Sequence, residues 1–382
     1  MNTLSSSNER ISASSQTGGE HSGTFPIRLL FMEILNEAAW LRALLCLLAL
    51  ILLAGGQEAV ADTPLPNSES FAQRRTFRGF VRRDMAEHAA TVAAEVAAYD
   101  QAVRMLARES DVNFALESGG NGKPGPLSLD GLARMVFSTR VTAVGVEGFP
   151  PDMRAVVYIS LVPPASPRTA VVRALQRHDL LELYGHSHAG LRSLVARYDA
   201  LAPLLLPLNP TDHGGREELF TLQSIVNEMK ALEMFLELVP HYDQRWDDPK
   251  KIREGLLRAE TLAPDNPLIL TGLSEAFLQL DRPVNALEYV GRALRHAPGY
   301  ARAHDVKGAV LLRQRLPALA AESFGRAIAI APNNPAHYMH RASAYLVLEE
   351  ESAMCADFKR ACGLGECEGL KWANSVGRCL AE

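Results

Sequence analysis

The sequence predicts a small α+β N-terminal module followed by an all-α superhelix of repeated helical hairpins, mainly helical overall. Three observations predict it. Pro264, Pro298 and Pro332 stand 34 residues apart each time, without insertion or deletion. Two β-rich runs, Ser138–Val146 and Ala155–Val162, flank the turn-forming segment Glu147-Gly-Phe-Pro-Pro-Asp152. Elsewhere apolar residues recur at spacings of three and four, the period of a helix with one packed face.

Residues 1–61 stand apart as a disordered leader and an export signal. Met1 to about Phe25 is rich in Ser, Gly, Thr and Asn and has no apolar period. Arg42 then precedes an uncharged run, Ala43 to Ala54, closed by Gly55-Gly56. The run is shorter than the roughly 20 residues that span a bilayer and matches a secretory h-region. Ala59-Val60-Ala61 supplies the small residues of a cleavage site, with Asp62 as the new N-terminus. The stretch before the run is long, so Met32 is a second candidate start, and an uncleaved anchor is the alternative to a cleaved signal. Arg74, Arg75, Arg78, Arg82 and Arg83 follow with no acid before Asp84. They read as a solvated linker and helix start, with contact to an anionic lipid surface as the other reading. Over the whole chain the net charge is −5, and near-neutral balance gives no reason to expect nucleic acid.

Residues 62–165 form the predicted α+β module. Beyond the linker Asp62–Ser70, an Ala-rich helix runs from about Val81 to Arg108, its face marked by Ala86, Ala89, Ala90, Ala93, Ala97, Val103 and Leu106. Gly119 to Pro126 is a loop by its glycines and prolines. A short helix follows Ser128, with Asp130 near its cap, and then the β-hairpin. Residues 166–215 are a helical connector whose apolar side is Val171, Leu175, Leu180, Leu183, Leu191, Leu194, Val195 and Tyr198.

The repeated region covers 216–364. One full unit, 267–300, places Leu270, Leu273-Ser274, Phe277, Ala286, Val290, Ala293 and Pro298 in fixed phase. The second, 301–334, places His304, Lys307-Gly308, Leu311, Ala320, Phe324, Ala327 and Pro332 at the same offsets. A partial third, 335–364, gives Tyr338, Arg341-Ala342, Tyr345, Met354, Phe358 and Ala361. Before them, Ile252, Leu256, Ala259 and Pro264 keep phase as a second helix, preceded by an amphipathic helix over Arg216–Val239 and an insertion. This pattern resembles the tetratricopeptide repeat. The resemblance implies antiparallel hairpins that approach at the small positions, with aromatic residues between neighbours and stacking that builds the core. The 62–165 module resembles, in arrangement only, the N-terminal module of some exported bacterial repeat proteins.

Several motifs suggest catalysis and do not complete it. Gly185-His-Ser-His-Ala189 lacks the upstream ligands of a metallophosphoesterase, and Ala189 breaks a nucleophile elbow. It reads as a kinked helix with exposed histidines. Gly119–Pro126 has Glu117 and Pro124 where a phosphate loop needs Gly and Ser or Thr. His337 and His340 sit at metal-ligand spacing without a third ligand, and read as groove or surface residues.

Cys355, Cys362, Cys367 and Cys379 all fall in the last 28 residues. Without C-x-x-C spacing they read as two disulfides of an exported protein. Seven residues of helix separate the Cα atoms of Cys355 and Cys362 by roughly 10 Å, beyond disulfide reach. Gly363-Leu-Gly365 turns the chain, and Glu368–Val376 returns as a short helix. The expected pairs are therefore Cys362–Cys367 and Cys355–Cys379, stapling a cap over 365–382 in which Leu370 and Trp372 cover the last hairpin. The ending is similar to the oxidised C-terminus of some exported repeat proteins.

The expectation is a non-catalytic scaffold of the cell envelope, without cofactor or metal, that binds an unidentified protein or peptide. The family resemblance implies a groove lined by the first helix of each hairpin. Its positions here are Leu268, Thr271, Glu275 and Gln279, then Arg302, Asp305 and Arg313, then Met339, Ser343 and Val347. The Lys and Asn set with which some members grip a peptide carboxylate is missing. The rival is an enzyme whose site lies in the 62–165 module, with the repeats as a targeting arm.

Overall fold

The computed structural model describes residues 70–76, 82–108, 126–147, 154–205, 213–242 and 248–379. The export signal and its cleavage site, Arg78, most of the Gly119–Pro126 loop and the tip of the β-hairpin lie outside the described residues. Among the described residues no helix is long and apolar enough to cross a membrane.

The N-terminal part contains a three-stranded antiparallel sheet in the order β1-β3-β2, with β1 at Ser70–Thr76, β2 at Ser138–Glu147 and β3 at Arg154–Val162. Strand β1 is a correction, because the arginine-containing stretch reads as a linker in the sequence. Its backbone pairs with the open edge of β3, from Ser70 opposite Ser160 to Thr76 opposite Arg154. Helix α1 (Arg83–Leu106) buries its alanine face, including Ala86, Ala90, Ala94, Ala98 and Ala102, against the sheet and its neighbours. Small side chains let a 24-residue helix lie close to strands and to three other helices at once.

Helix α2 (Pro126–Val136) crosses α4 (His178–Leu201) closely: a Cβ at Gly131 would stand 2.1 Å from the carbonyl oxygen of Leu181. Asp130 lies inside α2 and is buried, not at its cap. The connector is a broken helix, α3 (Pro167–Leu175) and then α4. Val171, Leu180, Leu183, Leu191, Leu194 and Tyr198 are buried as the period predicts. Helix α5 (His213–Leu238) continues the stack.

Helical hairpins follow. They are α6 (Pro249–Leu262) on α5, α7 (Pro267–Gln279) with α8 (Pro283–His296), α9 (Ala301–Arg313) with α10 (Pro317–Ile330), and α11 (Pro335–Val347) with α12 (Glu351–Gly363). Proline begins five of the seven helices α6 to α12 at N1, where its missing N–H costs nothing; α9 and α12 start without it. Asp248, Asn266 and Asn334 accept hydrogen bonds from the first-turn amides of α6, α7 and α11. The in-phase small positions Ala286, Ala293, Ala320, Ala327, Ala342 and Ala361 are fully buried. At Gly308 an added Cβ would come within 2.6 Å of the Phe324 ring, so the hairpin closes where the side chain is absent.

Helix α13 (Glu368–Ser375) caps the array. Cys355 pairs with Cys379 and Cys362 with Cys367, at Cα separations of 5.2 and 4.0 Å. Gly369 and Ala373 make the close approach to Phe358, and Leu370 is partly buried beside them. Trp372 meets Phe358 edge-on but stays 44% exposed, so it rims the cap more than it covers the hairpin.

Candidate protein-binding groove

The first helices of the hairpins, α7, α9 and α11, line one side of the array, and the start of α4 lies over them. Asn334 donates from Nδ2 to Glu182 at 3.1 Å, and His186 meets the Tyr300 ring edge-on at 5.1 Å. The groove is thus partly filled by the chain's own helix, at the starts of α9 and α11. Leu268 and Thr271, expected groove positions, are buried and not open to a partner.

Beside that helix a cleft of about 500 Å³ remains open. Of the expected groove residues it brings together Glu275, Gln279, Arg302, Asp305 and Met339; Gln176, Asp179 and Glu182 close it from α3 and α4. Arg313, Ser343 and Val347 are not part of it. Arg313 pairs with Asp281 at 3.1 Å on the surface, the Ser343 hydroxyl donates to the Met339 carbonyl, and Val347 is exposed.

Arg302 lines the cleft but is held in an ion pair. It pairs with Glu275 at 2.8 Å, with only 16% and 12% of the two side chains exposed. Burial raises the Glu275 carboxyl above its usual range, and the Arg302 charge offsets this only in part. Removing one partner of such a pair costs about 3–5 kcal/mol. Exchange of Arg302 for glutamate would therefore disturb the fold as well as the groove.

Asp305 accepts from His337 Nδ1 at 2.9 Å and from His340 Nδ1 at 2.9 Å. Burial works against its ionised form, yet the His340 charge and both hydrogen bonds outweigh that and hold the carboxyl far below the usual range. The same carboxylate raises His340. The two histidines are therefore partners of an aspartate one repeat earlier. The 34-residue period carries the signal for this contact, since Asp305 and His340 stand 35 residues apart.

A second cluster lies in the N-terminal part, where the sequence gives little warning. Asp100, Asp130 and His188 bring three possible ligand atoms within 4.8 Å of one another. Arg192 fills that place: its guanidinium donates to both Asp130 oxygens, at 3.1 and 2.9 Å, and to Asp100. Arg134 Nε donates to His188 Nδ1 at 3.1 Å, so the imidazole donates from Nε2 to Asp100 at 3.0 Å. Burial opposes ionisation of Asp100, but hydrogen bonds from His188 and Arg192 keep its carboxyl below the ordinary value. Burial lowers His188. The Arg192 guanidinium already bridges both carboxylates, and the set does not fit a metal. The Gly185–Ala189 segment is continuous helix, and His188 and Ser187 are fully buried. The expected kink with exposed histidines is corrected: His188 links α1, α2 and α4.

No family model matches the chain, and no curated protein does. Solved structures do. The first tetratricopeptide domain of Spaghetti (RPAP3), bound to the HSP90 peptide SRMEEVD, is 15% identical over 29% of this chain and 90% of its own, at TM-score 0.28. MamA is 20% identical over 43% and 98%, at TM-score 0.31. YrrB, described as a TPR protein with an unusual peptide-binding site, is 14% identical over 49% and 89%, at TM-score 0.32. The 34-residue period, the paired antiparallel helices and the buried small positions at fixed phase make residues 249–363 a tetratricopeptide-repeat array.

Proposed function

We propose that the protein is a non-catalytic scaffold of the cell envelope that holds a partner protein or peptide in the groove of its repeat array. The observation that carries this reading is the open cleft beside α4, where α7, α9 and α11 present Glu275, Gln279, Asp305 and Met339. Export is supported by the paired cysteines, which persist in an oxidising compartment. The mature chain would begin at Asp62. Its net charge would be −3, because residues 1–61 hold three Arg and five Glu.

Capture from the envelope fraction of the native host, with tagged full chain, tests the groove. The expected result is a partner retained by wild type and by Val284→Glu on the outer helix α8. Gln279→Arg combined with Ala309→Arg, inside the cleft, loses it. Retention by the cleft variant would place the interface elsewhere. N-terminal sequencing of the same material tests export, and a chain from cytosol that still begins at Met1 or Met32 would overturn it.

A further inference from the structure

The cleft is rich in acceptors and poor in unengaged donors. Asp179, Glu182, Glu275, Asp305 and Glu366 line it, against Arg177, Arg302 and His340. Arg302 is held by Glu275, Arg177 lies 3.8 Å from Asp179, and His340 is bonded to Asp305. An acidic segment would meet five carboxylates and three basic groups that already face acids.

An independent feature points the same way. The His337 side chain lines the cleft and is only 3% exposed. Its Nδ1 bonds to the Asp305 carboxylate, which can only accept, so Nδ1 carries the proton. In the neutral ring Nε2 is then an acceptor, and it is buried with no partner. Glu275 Oε2 is a second buried acceptor without a donor. Buried acceptors are normally satisfied, and a ligand N–H directed at them recovers what burial costs. Leu278, Val306 and Met339 supply apolar wall on which an aliphatic stem can lie.

We propose that the cleft takes a lysine- or arginine-bearing segment of the partner protein, its N–H donors meeting His337 Nε2 and Glu275 Oε2 and its charge matched by Asp179, Glu182 and Glu366. This deepens the groove reading above and rests on it. The segment is peptide in nature, since the cleft is continuous with the groove of the array.

Fluorescence anisotropy with the full chain at physiological ionic strength tests it. The probes are three labelled nonapeptide pools, degenerate except at two central positions. Those positions are fixed as Lys and Arg, as norleucine and citrulline, or as Glu and Glu. The cationic pool is expected to bind about tenfold more tightly than either of the others. Asp179→Asn with Glu366→Gln should reduce that preference several-fold and leave the thermal midpoint unchanged. The His337 Nε2 resonance should move on addition of the cationic pool to wild type. Equal or tighter binding of the glutamate or neutral pool would overturn the proposal, as would equal competition by free spermidine. If no pool binds while capture of the native partner still depends on Gln279 and Ala309, the cationic assignment falls and the groove reading stands. Capture that ignores those residues removes the groove reading itself.

Discussion

Asp305 occupies a groove position of the second full repeat, and the third repeat meets it with two imidazoles. The His340 side chain is 49% exposed, but the Asp305 charge raises its pKa above the ordinary imidazole value. A raised folded value means that protonated His340 favours the folded state. Its contribution is complete below the unfolded value of about 6.5 and is lost as pH rises through the folded one. Asp305 acts in the opposite sense: its lowered carboxyl stabilises above about 3.9, and that contribution is lost as pH falls toward the folded value. Urea unfolding from pH 6 to 9 should therefore show a declining midpoint in wild type and a flatter profile in His340→Gln. Superimposable profiles would show that the pair carries no proton linkage. These contacts were legible in principle, because each joins positions about one period apart; Arg313–Asp281 and Arg292–Glu260 do the same at 32 residues. The Asp100–Arg192 contact spans 92 residues and crosses elements with no shared period, so only the packing of α1, α2 and α4 reveals it.

Each of the last three hairpins turns through a non-glycine residue in the left-handed region: Asp281 at φ 55°, Arg315 at 63° and Glu349 at 60°. They recur with the 34-residue period. In each case the next amide closes back onto a carbonyl five residues earlier, as in Leu316 to Leu311 at 3.0 Å. This is the glycine-favouring end of a helix, occupied here by side chains that strain the backbone. Arg315→Gly is expected to raise stability by about 0.5–1 kcal/mol in equilibrium urea unfolding, after the greater freedom of glycine in the unfolded chain is counted. A loss of stability would mean that the Arg315 side chain contributes more than its conformation costs. At this scale the helices were the legible part, since the phase of small and aromatic residues specifies both hairpin partners. Strand β1 was not, because the arginines of Ser70–Thr76 mask a strand whose evidence is the backbone of β3. Nor could local pattern show that α4 reaches the start of α11, which depends on the Asn334–Glu182 contact, 152 residues apart.

Across the whole molecule the apolar core is unevenly divided. One continuous cluster runs from Met85 in α1 through the sheet, α4, α5 and the hairpins to Val310 in α9. The sheet, the connector and the first repeats therefore share one interior. The last hairpin and the cap form a smaller cluster of Ala342, Met354, Cys355, Phe358, Ala373 and Cys379. A terminal repeat has a neighbour on one side only, so its outer face needs another cover. Here the cover is a helix of eight residues, too short to hold its own fold, and the cystines tie it down. The Cys355–Cys379 bond closes the longer loop, at a sequence separation of 24, and should contribute about 3 kcal/mol in the chain-entropy model. The Cys362–Cys367 bond, at a separation of 5, should contribute about 2 kcal/mol. The effect should be local. In Cys355→Ser with Cys379→Ser, hydrogen exchange should accelerate through α12 and α13 while amides of the main core, from α1 to α9, keep their protection. The corresponding pair of substitutions at Cys362 and Cys367 should do less. Uniform loss of protection along the chain would show that the cap is cooperative with the main core, and that the two clusters unfold as one.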